Sequence, residues 1–263
     1  MISIIHSPAT IKDLESTIKT IDQNTLVVWD VDGVLLTGVD RIFHSENIYN
    51  GLAHKYTDYI ANKYKLNETK KELFISQLLL QRQAKLVDPN MLDIMQYLEQ
   101  NNIPSIALTY FFAGTLGKIK SVADWRINEL ANLGVKFNYG FCKFDQIELN
   151  TLPKVSSYYP LYKQGMLFCL QPNKGLVLKT FLEQTNWVPL KVIFIDDKID
   201  NLQSIQEELM AKNIEFIGLH YTGALDLPIE INEKLVEFQH EYLMEHGEWL
   251  TDQKALIILK NKI

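Results

Sequence analysis

The chain has 263 residues, 47% hydrophobic and 22% charged, with a formal net charge of -6. That length supports one large domain, or a core carrying a smaller accessory domain, and the composition excludes extensive disorder. The acidic balance offers no basic face for nucleic acid. No apolar run reaches the ~20 residues of a membrane span, and Cys142 and Cys169 form neither a CxxC nor a Cys/His cluster, which excludes a disulfide framework or structural zinc.

The N-terminal MISIIHSPATIKDLES has no basic stretch leading into a long apolar segment. A cytoplasmic location is the expectation, with signal-less export left open. The first apolar run, LVVW (26–29), reads as a strand, and residues 1–41 with 103–220 as the core. Residues 42–102 read as a mainly helical insertion with no convincing strand. Its third helical stretch, DPNMLDIMQYLEQNN, returns the chain to the sheet. IPSIAL (103–108) is the next strand. Trp125, Ile127, Leu130 and Leu133 mark a helix that Gly134 can cap. Residues 138–171 are irregular and read as a second insertion or a hairpin. Leu176, Leu178, Phe181 and Leu182 mark another helix, KVIFI (191–195) and IEFIGL (214–219) two more strands, and 221–263 a helical C-terminal appendage broken at Gly247. Short Val/Ile/Phe-rich strands alternating with helices predict an α/β fold, a parallel sheet with helices on both faces. Such sheets bind ligands outside the carboxyl ends of their strands, where Asp30, Thr109 and Asp196 fall.

The stretch TLVVWDVDGVLLTG ends a buried strand with two carboxylates, Asp30 and Asp32, followed by Gly33. Phosphoryl transfer requires such a set. A carboxylate can approach a phosphoryl group only when a cation and a metal ion offset the repulsion, and a second acid must protonate the leaving oxygen. Thr109, Lys174 and the Asp196–Asp197 pair supply the remaining types in order. Each has a plainer reading. A lone DxDG is often a turn or a metal loop. An EF-hand fails at the fifth and twelfth positions, Val34 and Arg41. A glycosyltransferase DxD gives no reason for the later acid pair. Lys179 and Lys163 rival Lys174, and Asp196–Asp197 can cap a helix starting near Ile199.

DVDGVL (30–35), Thr109 in IALT, Lys174 in PNKG and FIDDKIDN (194–201) resemble the four ordered motifs of the haloacid dehalogenase superfamily of phosphatases, over roughly residues 25–220. Within it they look closest to the class-B-acid-phosphatase-like and uncharacterised bacterial branches. The resemblance implies a Rossmann-like core with cap insertions matching 42–102 and 138–171. It implies Asp30 as nucleophile, Asp32 as general acid and then base, Thr109 as a hydroxyl donor to phosphate, and Lys174 as the neutralising cation. Magnesium would be held by Asp30, the backbone carbonyl of Asp32, and Asp197 or Asp196, with Asp197 favoured. The sequence departs from the pattern at Val34, where the family usually has Thr, and in its last motif the acid expected four residues after the metal ligand falls on Asn201 counted from Asp197 or on Asp200 counted from Asp196.

These motifs imply a magnesium-dependent phosphatase acting on a phosphorylated small molecule or phosphopeptide. A dehalogenase needs neither Asp32 nor the acid pair. The alternatives that stay open are a phosphotransferase and a catalytically weak relative that binds a phosphorylated ligand or a protein partner. Tyr110, Phe111, Phe112, Tyr158, Tyr159 and Tyr162 can line a specificity pocket or simply pack. Oligomeric state is not legible.

Overall fold

The computed structural model describes residues 2–8, 10–154, 157–169, 173–228 and 230–261. In chain order its elements are β1 (Ser3–His6), α1 (Ile11–Ile18), β2 (Thr25–Trp29), β3 (Leu36–Gly38), α2 (Ser45–Tyr49), α3 (Leu52–Lys63), α4 (Glu68–Gln81), β4 (Ala84–Leu86), α5 (Met91–Gln100) and β5 (Ser105–Thr109). They continue as α6 (Val122–Asn132), β6 (Gln146–Glu148), β7 (Leu161–Lys163), β8 (Met166–Phe168), α7 (Lys174–Thr185), β9 (Lys191–Asp196), α8 (Ile199–Met210), β10 (Glu215–His220), α9 (Glu233–His246) and α10 (Asp252–Lys260). The chain divides into two units. The first comprises Met1–Leu36, Leu86–Gly114 and Val122–Gly223; the second comprises Thr37–Lys85, Thr115–Ser121 and Ala224–Ile263.

The first unit is an α/β sheet of eight strands in the order β1-β10-β9-β2-β5-β8-β7-β6. Pairing is parallel from β1 to β8 and antiparallel at β7 and β6. The five residues of β2 are all buried, as are Val192 to Asp196 of β9, which is why both read as unbroken apolar runs rather than alternating ones. After β2 the chain returns to the sheet at β5 on one side and later at β9 on the other. The strand order therefore reverses around β2, which puts the crevice at its carboxyl end. Trp29 pairs with Ile195 and with Ala107, so the three central strands finish side by side.

Two features differ from the sequence reading. β1 forms an edge strand on β10 from a segment whose four residues are too few for a periodic signal. The 42–102 stretch contains a strand, β4, which pairs with β3 in a two-stranded ribbon; its three residues, AKL, have no β-branched member to mark them. Within 138–171 lie β6 and the β7–β8 hairpin, which turns at Gln164 and Gly165, both left-handed (φ 45 and 84). Residues 155, 156, 170 and 171 of that stretch, and Pro172 of the PNKG motif, lie outside the described residues.

The second unit is mainly helical. Phe43, Tyr56, Ile60, Phe74 and Leu78 from its first segment share one core with Val236, Leu243 and Trp249 from the C-terminal segment. Asn232 caps α9 by accepting from the Leu235 N–H, and Gly247 ends that helix in the left-handed conformation. Among the described residues no helix is long and apolar enough to cross a membrane.

Candidate functional site

Asp30 lies one residue beyond β2 and Asp196 is the last residue of β9. The Asp30 N–H donates to the Ile195 carbonyl at 2.8 Å, so the sheet ladder itself holds the two carboxylates next to each other. Asp197 follows directly. One carboxylate oxygen from each of Asp30, Asp196 and Asp197 lies within 4.8 Å of the others.

Lys174 opens α7 and is fully buried. Its neighbour Asn173 caps the helix, accepting from the Leu176 N–H at 2.8 Å, which fixes the first turn. Gly175 follows because the backbone of Ser204 lies where a Cβ would sit, at 2.0 Å. From this position the Lys174 ammonium bridges Asp30 Oδ1 and Asp196 Oδ2, 2.7 Å from each. Burial disfavours its charge, but the two facing carboxylates outweigh burial and hold its pKa above the ordinary value. Burial has the same sense of penalty on Asp30: it raises that carboxyl well above the usual range, Lys174 opposes it, and Asp196 and Asp197 add to it.

Asp196 is not the cap of α8, whose N-cap is Lys198 with no side-chain cap bond. Its Oδ1 accepts from the Lys198 N–H at 2.8 Å and from Asn201 Nδ2 at 2.9 Å, while Oδ2 accepts from Lys174 and from Asn201 Nδ2 at 3.0 Å. Asn201 in turn accepts from the Tyr110 hydroxyl at 3.2 Å. Asp200 is exposed and takes no part. Asp30 uses only Oδ1 for Lys174 and for the Val31 N–H, which leaves Oδ2 without a protein donor among the described residues.

Thr109 ends β5 and is buried. Its Oγ1 accepts from the Phe111 N–H at 3.3 Å, which keeps its own hydroxyl proton available to donate. Behind it the Cys169 thiol donates to the Thr109 carbonyl at 3.0 Å, and burial pushes that thiol up to about 12, which makes it inert. The rival lysines are engaged elsewhere: Lys179 with Glu208 and Lys163 with Asp124.

Asp32 stands apart from the triad. Gly33, at φ 88, turns the loop after it, and the Gly33 N–H donates to the Leu36 carbonyl at 2.9 Å. The Asp32 carboxylate pairs with Arg126 of α6, a residue that sequence reasoning missed. Arg126 is fully buried and also pairs with Glu129. Its only sequence signal is an Arg beside Trp125 in the otherwise ordinary helix VADWRINEL.

Lys174 pairs with two of these acids, and the three together bring hard oxygen donors within 4.8 Å of one another, a donor set that suits a divalent cation of the magnesium type. The residues present fit such an ion.

A family model described as "Protein of unknown function (DUF2608)" matches residues 8–256. An uncharacterized protein of Rickettsia prowazekii is 23% identical over 247 residues, 94% of this chain and 87% of its own length. A Chlamydia trachomatis protein described as "Putative outer membrane protein" is 26% identical over 260 residues, 97% of this chain and 89% of the other. An uncharacterized protein of Rickettsia bellii is 26% identical over 209 residues, 76% of this chain and 69% of the other. No solved structure matches the chain significantly.

Proposed function

The chain belongs to the DUF2608 family, and from that premise we propose that it is a magnesium-dependent phosphatase that hydrolyses a phosphomonoester through an aspartyl-phosphate on Asp30. The observation that carries the reading is the Lys174 ammonium held between Asp30 and Asp196 with Asp197 beside them. Burying a lysine against two acids is costly unless its charge has work to do. Magnesium held by Asp30, Asp197 and Asp196 would offset phosphate charge and orient the ester.

In the first step an Asp30 oxygen attacks phosphorus as the bond to the leaving oxygen breaks, and that oxygen takes the Asp32 proton. In the second, Asp32 takes a proton from water as the water oxygen attacks phosphorus and the bond to Asp30 breaks. Inorganic phosphate leaves and both carboxyls return to their starting states. Lys174 offsets charge on the nucleophile and phosphate together, and the Thr109 hydroxyl donates to a phosphate oxygen. The substrate class is a phosphorylated small molecule or a phosphopeptide. Two buried free cysteines suit the reducing cytoplasm included in this proposal.

The test is release of phosphate from a panel of phosphomonoesters, with magnesium or chelator, by the native protein and by Asp30→Asn and Asp32→Asn. Turnover that needs magnesium and is lost in both variants supports the reading. Turnover indifferent to chelator, or surviving both substitutions, overturns it.

A further inference from the structure

We propose that Tyr110 is the specificity-determining residue of the site, and that the phosphomonoester it selects carries a flat ring beside its ester oxygen. This rests on the phosphatase reading above and names the substrate class for it. Tyr110 directly follows Thr109, the last residue of β5, so the strand that brings the Thr109 hydroxyl to the site also sets this ring next to it. The ring is tied at its far end. Its hydroxyl donates to Asn201 Oδ1 at 3.2 Å, and Asn201 is buried with its Nδ2 on both oxygens of Asp196. A ring anchored in this way keeps one orientation and loses little freedom when a ligand settles on it.

Two rings flank the Lys174 ammonium, Tyr110 with its centre at 5.3 Å and Phe194 with its centre at 5.4 Å. They differ in what lies beyond them. Phe194 is 0% exposed within β9, whereas Tyr110 is 39% exposed. The ammonium that receives the phosphoryl group therefore has one ring behind it in the core and one ring open to whatever arrives. The neighbouring aromatics of the same loop are taken up by packing, Phe111 on Trp125 and Phe112 on Tyr158. Tyr110 meets Lys174 and Asn201 and, among the described residues, packs on no other ring.

A phosphoryl group held at Lys174 and Asp30 has its ester oxygen one bond away, so the first atoms of the leaving group emerge beside the Tyr110 ring. A planar group there can take the offset or tilted arrangement that aromatic pairs favour, and a puckered ring of the same size cannot lie as flat. The attraction is the same before and during bond breaking, so it acts on KM rather than on kcat.

The experiment compares benzyl phosphate with cyclohexylmethyl phosphate. Both leave a primary alkoxide, so their leaving oxygens need the same help and the esters differ in whether the ring is flat. With magnesium present, kcat and KM are measured for the native protein, Tyr110→Phe and Tyr110→Leu. The native kcat/KM should favour benzyl phosphate by about three- to tenfold, carried by KM. Tyr110→Phe keeps the ring and loses only the bond to Asn201, so it should slow both esters alike and retain the preference. Tyr110→Leu removes the ring as well and should bring the preference down to about one. A native protein without the preference, or a preference that survives Tyr110→Leu, overturns the inference and leaves the phosphatase reading in place. If Tyr110→Leu does not fold, inhibition of the native protein and Tyr110→Phe by benzylphosphonate and cyclohexylmethylphosphonate decides the matter. The flat inhibitor should bind about threefold or more tightly in both proteins, and equal inhibition overturns the inference. O-phosphotyrosine and a phosphotyrosyl peptide are assayed alongside. A loss on either in Tyr110→Leu supports the inference, and the better native substrate tells a free ring from one carried in a chain. A native protein that hydrolyses other phosphomonoesters but none of these flat-ring esters overturns the inference alone. One that hydrolyses no ester overturns it together with the phosphatase reading.

Discussion

Lys174 in the first unit and His240 in the second are both fully buried, yet their surroundings differ in kind. Lys174 keeps its charge because two carboxylates meet it at 2.7 Å. His240 gives its charge up. Its Nδ1–H donates to the Val236 carbonyl at 2.7 Å, and its ring lies among Trp249, Tyr56 and Phe74 with centres 5.1, 5.5 and 6.2 Å away. Burial lowers its pKa to about 4. A buried ionisable group surrounded by rings is packing. One met by two carboxylates keeps its charge, because their attraction outweighs the cost of burial.

The contrast breaks hardest at Asp30. Asp30→Asn should cut phosphate release by ~10³-fold or more while the melting temperature stays within a few degrees, since Lys174 keeps Asp196. A variant that retains turnover would make the first unit's charge cluster as structural as the histidine. Next is Lys174→Met, which leaves the acids facing one another. Without metal it should cost about 3–5 kcal/mol by urea unfolding, and magnesium should recover more stability in the variant than in the native protein. No recovery would show that the acids do not share an ion.

The histidine gives the third test. Its folded pKa lies below the unfolded value, so its contribution is fully present above about pH 6.5. It is lost as the pH falls toward about 4, because only the unfolded chain takes up the proton in that window. The urea midpoint should drop across that range by an amount equivalent to about 3 kcal/mol at most, and His240→Leu should flatten the drop. The smallest effect is expected for Tyr110→Phe, which removes one 3.2 Å bond to Asn201 and should slow turnover about two- to fivefold without altering the melting curve.

Strand ends were the most legible part of this molecule. The apolar runs before Asp30, Thr109 and Asp196 are continuous because both faces of those strands are covered, and each stops where polar chemistry begins. The Lys174 position could be read because it stands beside a glycine at the start of a helical stretch. Arg126 was not legible, since only the fold decides whether a helical arginine turns outward or inward. Nor was the shared core of the second unit, where Phe43 and Tyr56 find Trp249 and Val236 across most of the chain's length and no local pattern encodes the partnership.

That last pairing sets a timetable for the chain as it leaves the ribosome. The helices carrying Tyr56, Ile60, Phe74 and Leu78 emerge first, and Val236, Leu243 and Trp249 follow Leu78 by more than 150 residues. At about 5–20 residues per second the early helices wait roughly ten to thirty seconds with their apolar side uncovered. Nascent chains stalled before residue 233 should therefore recruit holding chaperones, even though every acid of the cluster has already been made.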